Sequence, residues 1–224
     1  MGLSRSSSTP ATRTTTTTPA DRRATGQVVV LNGAPRSGKT SIAEALQAAA
    51  DRDWVTLGVD ASVRSTPERL RPGIGLRPGA ERPDLERAVA SLYGALFDAV
   101  AAHARLGLDV ALDAGLHESY SRPLHVRAVC ARRLDGLPVL LVGVRCPIDV
   151  IWQRRRDSWG QDHGAADAPS RAAVRRWQHD VHAAMPYDLE VDTSTSTPDE
   201  CARRIAARLA EGPPGRGMDL LREG

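Results

Sequence analysis

The stretch Val28-Val29-Val30-Leu31-Asn32-Gly33-Ala34-Pro35-Arg36-Ser37-Gly38-Lys39-Thr40 decides how the rest of the chain is read. Its first four residues are an unbroken apolar run, mostly β-branched, which is the pattern of a strand buried on both faces. Gly33 to Thr40 then matches G-x-x-x-x-G-K-[ST] in full. A helical pattern follows from 39 to about 50. Strand, glycine-rich loop and helix in that order are the context a phosphate-binding P-loop needs. Gly33 and Gly38 permit backbone angles and a close approach that a Cβ would block. The loop can then turn successive N–H groups inward onto phosphate oxygens, with the positive end of the helix dipole behind them. Residues Gly33, Ala34, Pro35, Arg36, Ser37, Gly38, Lys39 and Thr40 are therefore assigned to nucleoside-triphosphate binding. Lys39 is to reach the β and γ phosphates, and the Thr40 hydroxyl is to meet Mg²⁺. Lys39 is also the one lysine among 30 basic residues, so lysine stands where its chemistry matters.

Outward from this loop, strand and helix patterns alternate. Strands are expected at 54–59, 110–113, 137–145 and 189–192. Helices are expected at about 62–70, 84–105, 122–134, 148–158 and 170–184, and after Thr197, with threonine as N-cap and Pro198 at the first helical position. Five strands separated by helices, several of them continuous apolar runs, imply an α/β fold: a parallel five-stranded sheet with helices on both faces, of the P-loop NTPase type. Residues 71–79, rich in Arg, Pro and Gly, read as a loop.

The ordered domain is expected over 26–211. Residues 1–25 are Ser/Thr/Pro-rich, with too little apolar content to offset the entropy of ordering, and are expected to be disordered. Residues 212–224 read as a flexible C-terminal tail. The chain has 224 residues and a net charge of +3, with basic residues scattered among acids, so nucleic-acid binding is not expected. It lacks a run of 18 apolar residues and a secretory h-region, so no membrane span is expected and a cytoplasmic location fits. Cys130, Cys146 and Cys201 suggest neither a disulfide framework nor a zinc site and are read as small buried residues. The oligomeric state stays open.

Two carboxylates complete the candidate site. Asp113 ends the third strand and takes the second metal-site position. Asp60 follows Leu57-Gly58-Val59 at the carboxyl end of the second strand, where the crevice of such a sheet lies. Its proposed role is to accept or orient the acceptor hydroxyl's proton. With lysine confined to position 39, the Asn-Lys-x-Asp element of a guanine-specific GTPase cannot occur. About 200 residues suit a small kinase acting on a hydroxylated molecule.

These residues resemble the chloramphenicol phosphotransferase family over about 28 to 211. The resemblance rests on Val29-Val30-Leu31-Asn32-Gly33, on Trp54 with Leu57-Gly58-Val59-Asp60, on Val142-Gly143-Val144-Arg145-Cys146 and on Tyr187-Asp188-Leu189-Glu190-Val191-Asp192-Thr193. It implies transfer of the γ-phosphate of ATP to the primary hydroxyl of chloramphenicol or a related antibiotic, which inactivates the drug. The aspartate matching Asp60 is the family's catalytic base. The chain departs from the family at Pro35 and Arg36, at Ala114 where a second acid stands, and across 66–82. In Arg154-Arg155-Arg156-Asp157-Ser158-Trp159-Gly160 only Arg154 is in register, and Arg154 is given a phosphate-clamping role. A metabolic or nucleoside/nucleotide-type small kinase with another acceptor is the alternative. His182 and Trp152, Trp159 and Trp177 are expected to serve packing.

Overall fold

The computed structural model describes residues 25–49, 52–71, 82–159, 168–212 and 215–223. Residues 1–24 of the segment expected to be disordered, and most of the loop expected at 71–79, lie outside them. Five strands form the sheet: β1 (Val28–Asn32), β2 (Trp54–Gly58), β3 (Asp109–Ala114), β4 (Val139–Arg145) and β5 (Leu189–Asp192). All pairings are parallel and the spatial order is β2-β3-β1-β4-β5. The helices are α1 (Lys39–Ala48), α2 (Val59–Arg64), α3 (Glu86–Arg105), α4 (Val126–Arg133), α5 (Ile148–Trp159), α6 (Ala168–Asp180), α7 (Pro198–Ala210) and α8 (Gly217–Glu223).

The period-2 geometry of a strand explains the two cores. Val28 and Val30 of β1, with Val110, Leu112, Val139 and Leu141, face a cluster built with Val89, Phe97 and Val100 of α3, Val126 and Cys130 of α4, and Met218 of α8. Val29 and Leu31, with Ala111, Leu140 and Val142, face Ile42, Ala43 and Leu46 of α1 and Cys201 and Ile205 of α7. Both faces of the sheet are thus covered, as the continuous apolar runs require. Fully burying a side chain of this size is worth roughly 1.5–3 kcal/mol over leaving it exposed. The three cysteines are free and buried, in line with the reading of them as small core residues.

Four boundaries differ from the sequence expectation, each for a local reason. The helix expected at 62–70 is split: α2 starts at Val59 and ends at Arg64, Pro67 interrupts, and a single 3₁₀ turn covers Glu68–Leu70. The helix expected from about 122 starts at Val126. Arg122 precedes Pro123, which disfavours helical backbone there, and His125 sits at a left-handed φ of 51°. The helix expected to reach 184 ends at Asp180 and turns over 181–184, with Ala184 at φ 53°. The expectation of a loose end from 212 is corrected at 217–223. There the Gly217 N–H donates to Asp188 Oδ1 at 2.8 Å and Met218 is buried, so α8 packs beside α4 and β4. The start of α7 is as expected: Thr197 caps it, Pro198 is its first residue, and Glu200 closes a capping box.

Candidate active site

The site is built where β1, β2 and β3 end. Gly33 has no room for a side chain, because a Cβ would lie 2.6 Å from Val144 O and 2.8 Å from Ser37 Oγ. Gly38, at φ 96°, turns the chain into α1. Lys39 is buried at 8% exposure, with Nζ 3.0 Å from Ala34 O and 3.5 Å from Asp113 Oδ1. The Thr40 hydroxyl donates to Asp113 Oδ2 at 2.6 Å. The P-loop lysine and threonine therefore meet Asp113, the penultimate residue of β3, so the structure brings together three of the residues singled out in the sequence. The register explains why: Leu31 pairs with Asp113, and Asp113 with Gly58 of β2.

Asp60 lies in the first turn of α2, exposed, just past that register position. Two cavities meet around it. One of about 660 Å³ is bounded by Gly38, Thr40, Arg154, Val174 and Trp177, and holds the loop face suited to phosphates. The other, about 200 Å³, is bounded by Val59, Val63, Tyr93, Gly115 and Trp177. Pro35, Lys39, Asp60, Asp113 and Trp177 line both. A further cavity of about 790 Å³ between α1 and α7 contains none of these groups and is remote from the chemistry.

A magnesium ion fits this donor set. Thr40 Oγ1 and Asp113 offer hard oxygens 2.6 Å apart beside the phosphate loop. Mg²⁺ takes one or two protein oxygens and fills its octahedron with water and phosphate oxygens. Among the described residues no cluster of three or more His, Cys, Asp and Glu could hold a metal by itself.

Arg154 is at the cleft edge, but its guanidinium is engaged with backbone and threonine. It donates to Thr193 Oγ1 at 3.0 Å, Thr193 O at 2.7 Å and Arg36 O at 3.2 Å. Thr193 in turn donates to Ser37 O at 2.7 Å and packs against Gly38. In this geometry Arg154 braces the outer edge of the P-loop through Thr193. Arg155 lines the larger cavity and lies over the Trp152 ring, whereas Arg156 is exposed.

Sequence reasoning missed four residues. Trp177, expected as packing, is a wall common to both cavities. Tyr93 of α3 faces the smaller cavity, and burial raises its phenol well above the usual range. Thr193 was visible only as the end of a familiar stretch. Asn32 at the end of β1 is fully buried and gives three hydrogen bonds: Oδ1 accepts from the Leu116 N–H at 2.7 Å, and Nδ2 donates to Val181 O at 2.7 Å and to Tyr187 Oη at 2.8 Å. His182 does serve packing. It is buried beside Tyr187, with Nδ1 2.7 Å from Tyr187 Oη, and burial lowers its pKa to about 4.

Sheet order, P-loop and the carboxylate at the end of β3 define a protein of the P-loop kinase fold. Solved structures agree. A sugar kinase from Janibacter sp. HTCC2649 matches with a TM-score of 0.58 at 20% identity, over 84% of this chain and 96% of that one. The Mycobacterium tuberculosis APS kinase, solved with AMPPNP and APS, matches with a TM-score of 0.55 at 20% identity, over 83% and 98%. A gluconokinase from Sinorhizobium meliloti 1021 gives 0.53 at 20% identity, over 91% and 99%. The family model for chloramphenicol phosphotransferase-like proteins matches residues 26–210, so the chain belongs to that phosphotransferase family. A relative from M. tuberculosis H37Rv, provisionally named an O-phosphotransferase, is 27% identical over 219 residues, 88% of each chain. No helix among the described residues is long and apolar enough to cross a membrane.

Proposed function

We propose that the protein transfers the γ-phosphate of ATP to a hydroxyl of an apolar, aromatic small molecule, with chloramphenicol or a related antibiotic as the acceptor. One observation carries this reading: Lys39, Asp60 and Asp113 line both the phosphate-side cavity and the smaller cavity beside it. An acceptor in the smaller cavity would present its hydroxyl to Asp60 and to the γ-phosphate at once. The proton of that hydroxyl passes to Asp60, the acceptor oxygen bonds to the γ-phosphorus, and the bond from that phosphorus to the bridging oxygen of ADP breaks. Lys39 and the P-loop amides stabilise charge on the phosphate oxygens. Mg²⁺, held by Thr40 and Asp113, would supply further charge neutralisation at the β and γ oxygens.

The walls of the smaller cavity favour an apolar acceptor. Val59, Val63, Tyr93, Ala114 and Trp177 give it aliphatic and aromatic surface. A sugar or polyol offers little apolar surface to match these walls. That argues against the sugar acceptors of the fold's neighbours. The test is incubation with Mg-ATP and chloramphenicol, with the phosphorylated drug read by mass spectrometry and Lys39→Ala run alongside. Phosphorylated drug that is absent in the variant is expected. Phosphorylation of gluconate or shikimate in preference to chloramphenicol would overturn the choice of acceptor.

A further inference from the structure

We propose that Asn32 is a positioning residue for phosphoryl transfer: its side chain fixes the loop after β3 and the C-terminal end of α6 against the first glycine of the P-loop, and so holds Trp177 over the acceptor cavity. Asn32 and its hydrogen-bond partners are chain neighbours of the cavity walls. Asn32 precedes Gly33. Its partner Leu116 follows Gly115. Its partner Val181 lies one turn beyond Trp177, with the Val181 N–H donating to Trp177 O at 3.1 Å. Gly33, Gly115 and Trp177 are all walls of the cavity of about 200 Å³. They come from three segments far apart in the chain, and one amide group ties them together. The three walls adjoin: a Cβ built at Gly115 would be in ordinary van der Waals contact with Gly33 O at 3.4 Å and Trp177 Nε1 at 3.6 Å.

The groups Asn32 satisfies are ones that regular structure leaves over. Val181 O follows the last turn of α6, where carbonyls lack intrahelical partners, and the Leu116 N–H lies beyond the end of β3. Arg127 of α4 holds the same turn from the other side, donating to Asp180 O at 2.7 Å and Ala183 O at 2.8 Å. Arg127 ties the end of α6 to α4, whereas Asn32 ties it to the strand that enters the P-loop. Tyr187 keeps the amide oriented. Its ring lies against Gly143, where a Cβ would come within 2.7 Å, so the ring has little freedom to shift.

Asn32→Asp tests this. It keeps shape and an oxygen for the Leu116 N–H but removes both donors toward Val181 and Tyr187. Protonating the new carboxyl restores one donor. The titratable and charged groups around it are Tyr187 and His182, the buried His117 in the loop after β3, Arg127 from α4 with Glu118 and Asp180 beside it, and at longer range Lys39, Arg145 and Glu190. Tyr187 is pushed up to about 12 and His182 down to about 4. A pH response seen in Asn32→Asp and absent from the unsubstituted protein, which keeps every other titrating group, therefore belongs to the introduced carboxyl. At pH 8 the expected result is a kcat lower by ~10–100-fold with the KM for ATP within ~3-fold, as misplacement rather than lost binding predicts. Part of the deficit relative to the unsubstituted protein recovers at pH 6.

The second readout does not depend on turnover. The indole ¹⁵N–H resonance of Trp177, assigned with Trp177→Phe, is expected to shift in Asn32→Asp and to move back as pH falls, while that of Trp54 at the other end of the molecule stays. The inference rests on the phosphotransfer reading, and this arm separates the two. If the unsubstituted protein leaves chloramphenicol untouched, that acceptor fails and the Trp177 resonance alone decides the role of Asn32. An unmoved Trp177 resonance, or kcat near that of the unsubstituted protein, overturns the proposal. Should the aspartate prevent folding, Asn32→Ser leaves room for water at the freed groups and is read by the same resonance and the same kcat-to-KM comparison.

Discussion

Replacing Asp60 by asparagine separates chemistry from stability more sharply than any other change in the site. Asp60 is exposed, in the first turn of the six-residue α2, and makes no hydrogen bond or ion pair among the described residues. Its contribution to the fold is therefore limited to the favourable placement of a carboxylate near a helix N-terminus, about 0.3–1 kcal/mol. In a domain of this size that moves Tm by roughly 1–4 °C. As a base, the same carboxylate is worth ~10²–10⁴-fold in rate, or about 2.7–5.5 kcal/mol on the barrier. The side chain volume is unchanged and Thr40, Lys39 and Asp113 keep their mutual contacts, so the affinity for Mg-ATP should stay within ~3-fold. The assays are product formation by mass spectrometry, Mg-ATP binding by calorimetry and thermal unfolding, all on one preparation. A variant that retains more than ~10% of kcat refutes Asp60 as base. So does a fall in rate matched by an equal fall in ATP affinity, since that would place Asp60 with the nucleotide.

Three further outcomes follow from the same geometry. Thr40→Val removes the hydroxyl that meets Asp113 at 2.6 Å; the enhancement of ATP binding by Mg²⁺, measured by calorimetry with and without the ion, should fall ~10-fold or more, and an unchanged enhancement would exclude Thr40 from the metal site. Gly143→Ala forces a methyl to within 2.7 Å of the Tyr187 ring; overpacking of this kind costs about 1–3 kcal/mol, so Tm should drop by roughly 2–12 °C, and an unshifted Tm would show that the ring moves freely. His182 has a folded pKa of about 4 against an unfolded value near 6.5, so the unfolded state takes the proton first. Its contribution is complete above about pH 6.5 and is lost as pH falls toward 4. The acid limb of Tm against pH should be shallower in His182→Gln, and an identical limb would assign acid sensitivity to other groups.

The elements whose pattern is local could be read from the sequence. The P-loop, the apolar strands and the Thr197-Pro198 cap each carry their signal within a few residues, and the structure has all of them. Helix boundaries were harder where proline and left-handed backbone act against an otherwise helical composition, as at Pro67, Pro123 and His125. α8 was missed because Gly212, Gly215 and Gly217 read as breakers, while its stabilising partner, Asp188, lies 29 residues away. Within the site, Lys39, Thr40 and Asp113 were legible because strand ends and a motif mark them. Trp177, Tyr93 and Asn32 were not. A tryptophan on a helix looks the same whether it faces a core or a cleft, and the role of an asparagine at a strand end depends on loops 84 and 149 residues away.

The order of the strands explains why one carboxylate touches the P-loop and the other stands clear of it. In sequence β2 follows β1, yet in space β3 lies between them. Asp113 is therefore the direct neighbour of the P-loop and closes on Thr40 and Lys39. Asp60 follows a strand two places from β1, and with neighbouring strands ~4.8 Å apart that sets it ~10 Å from the loop's strand. Under the proposed reaction, the crossover that places β3 in the middle puts Asp113 beside the P-loop for the metal and leaves Asp60 clear of Thr40 and Lys39 for the acceptor's proton, with the cavity between Tyr93 and Trp177 beside it.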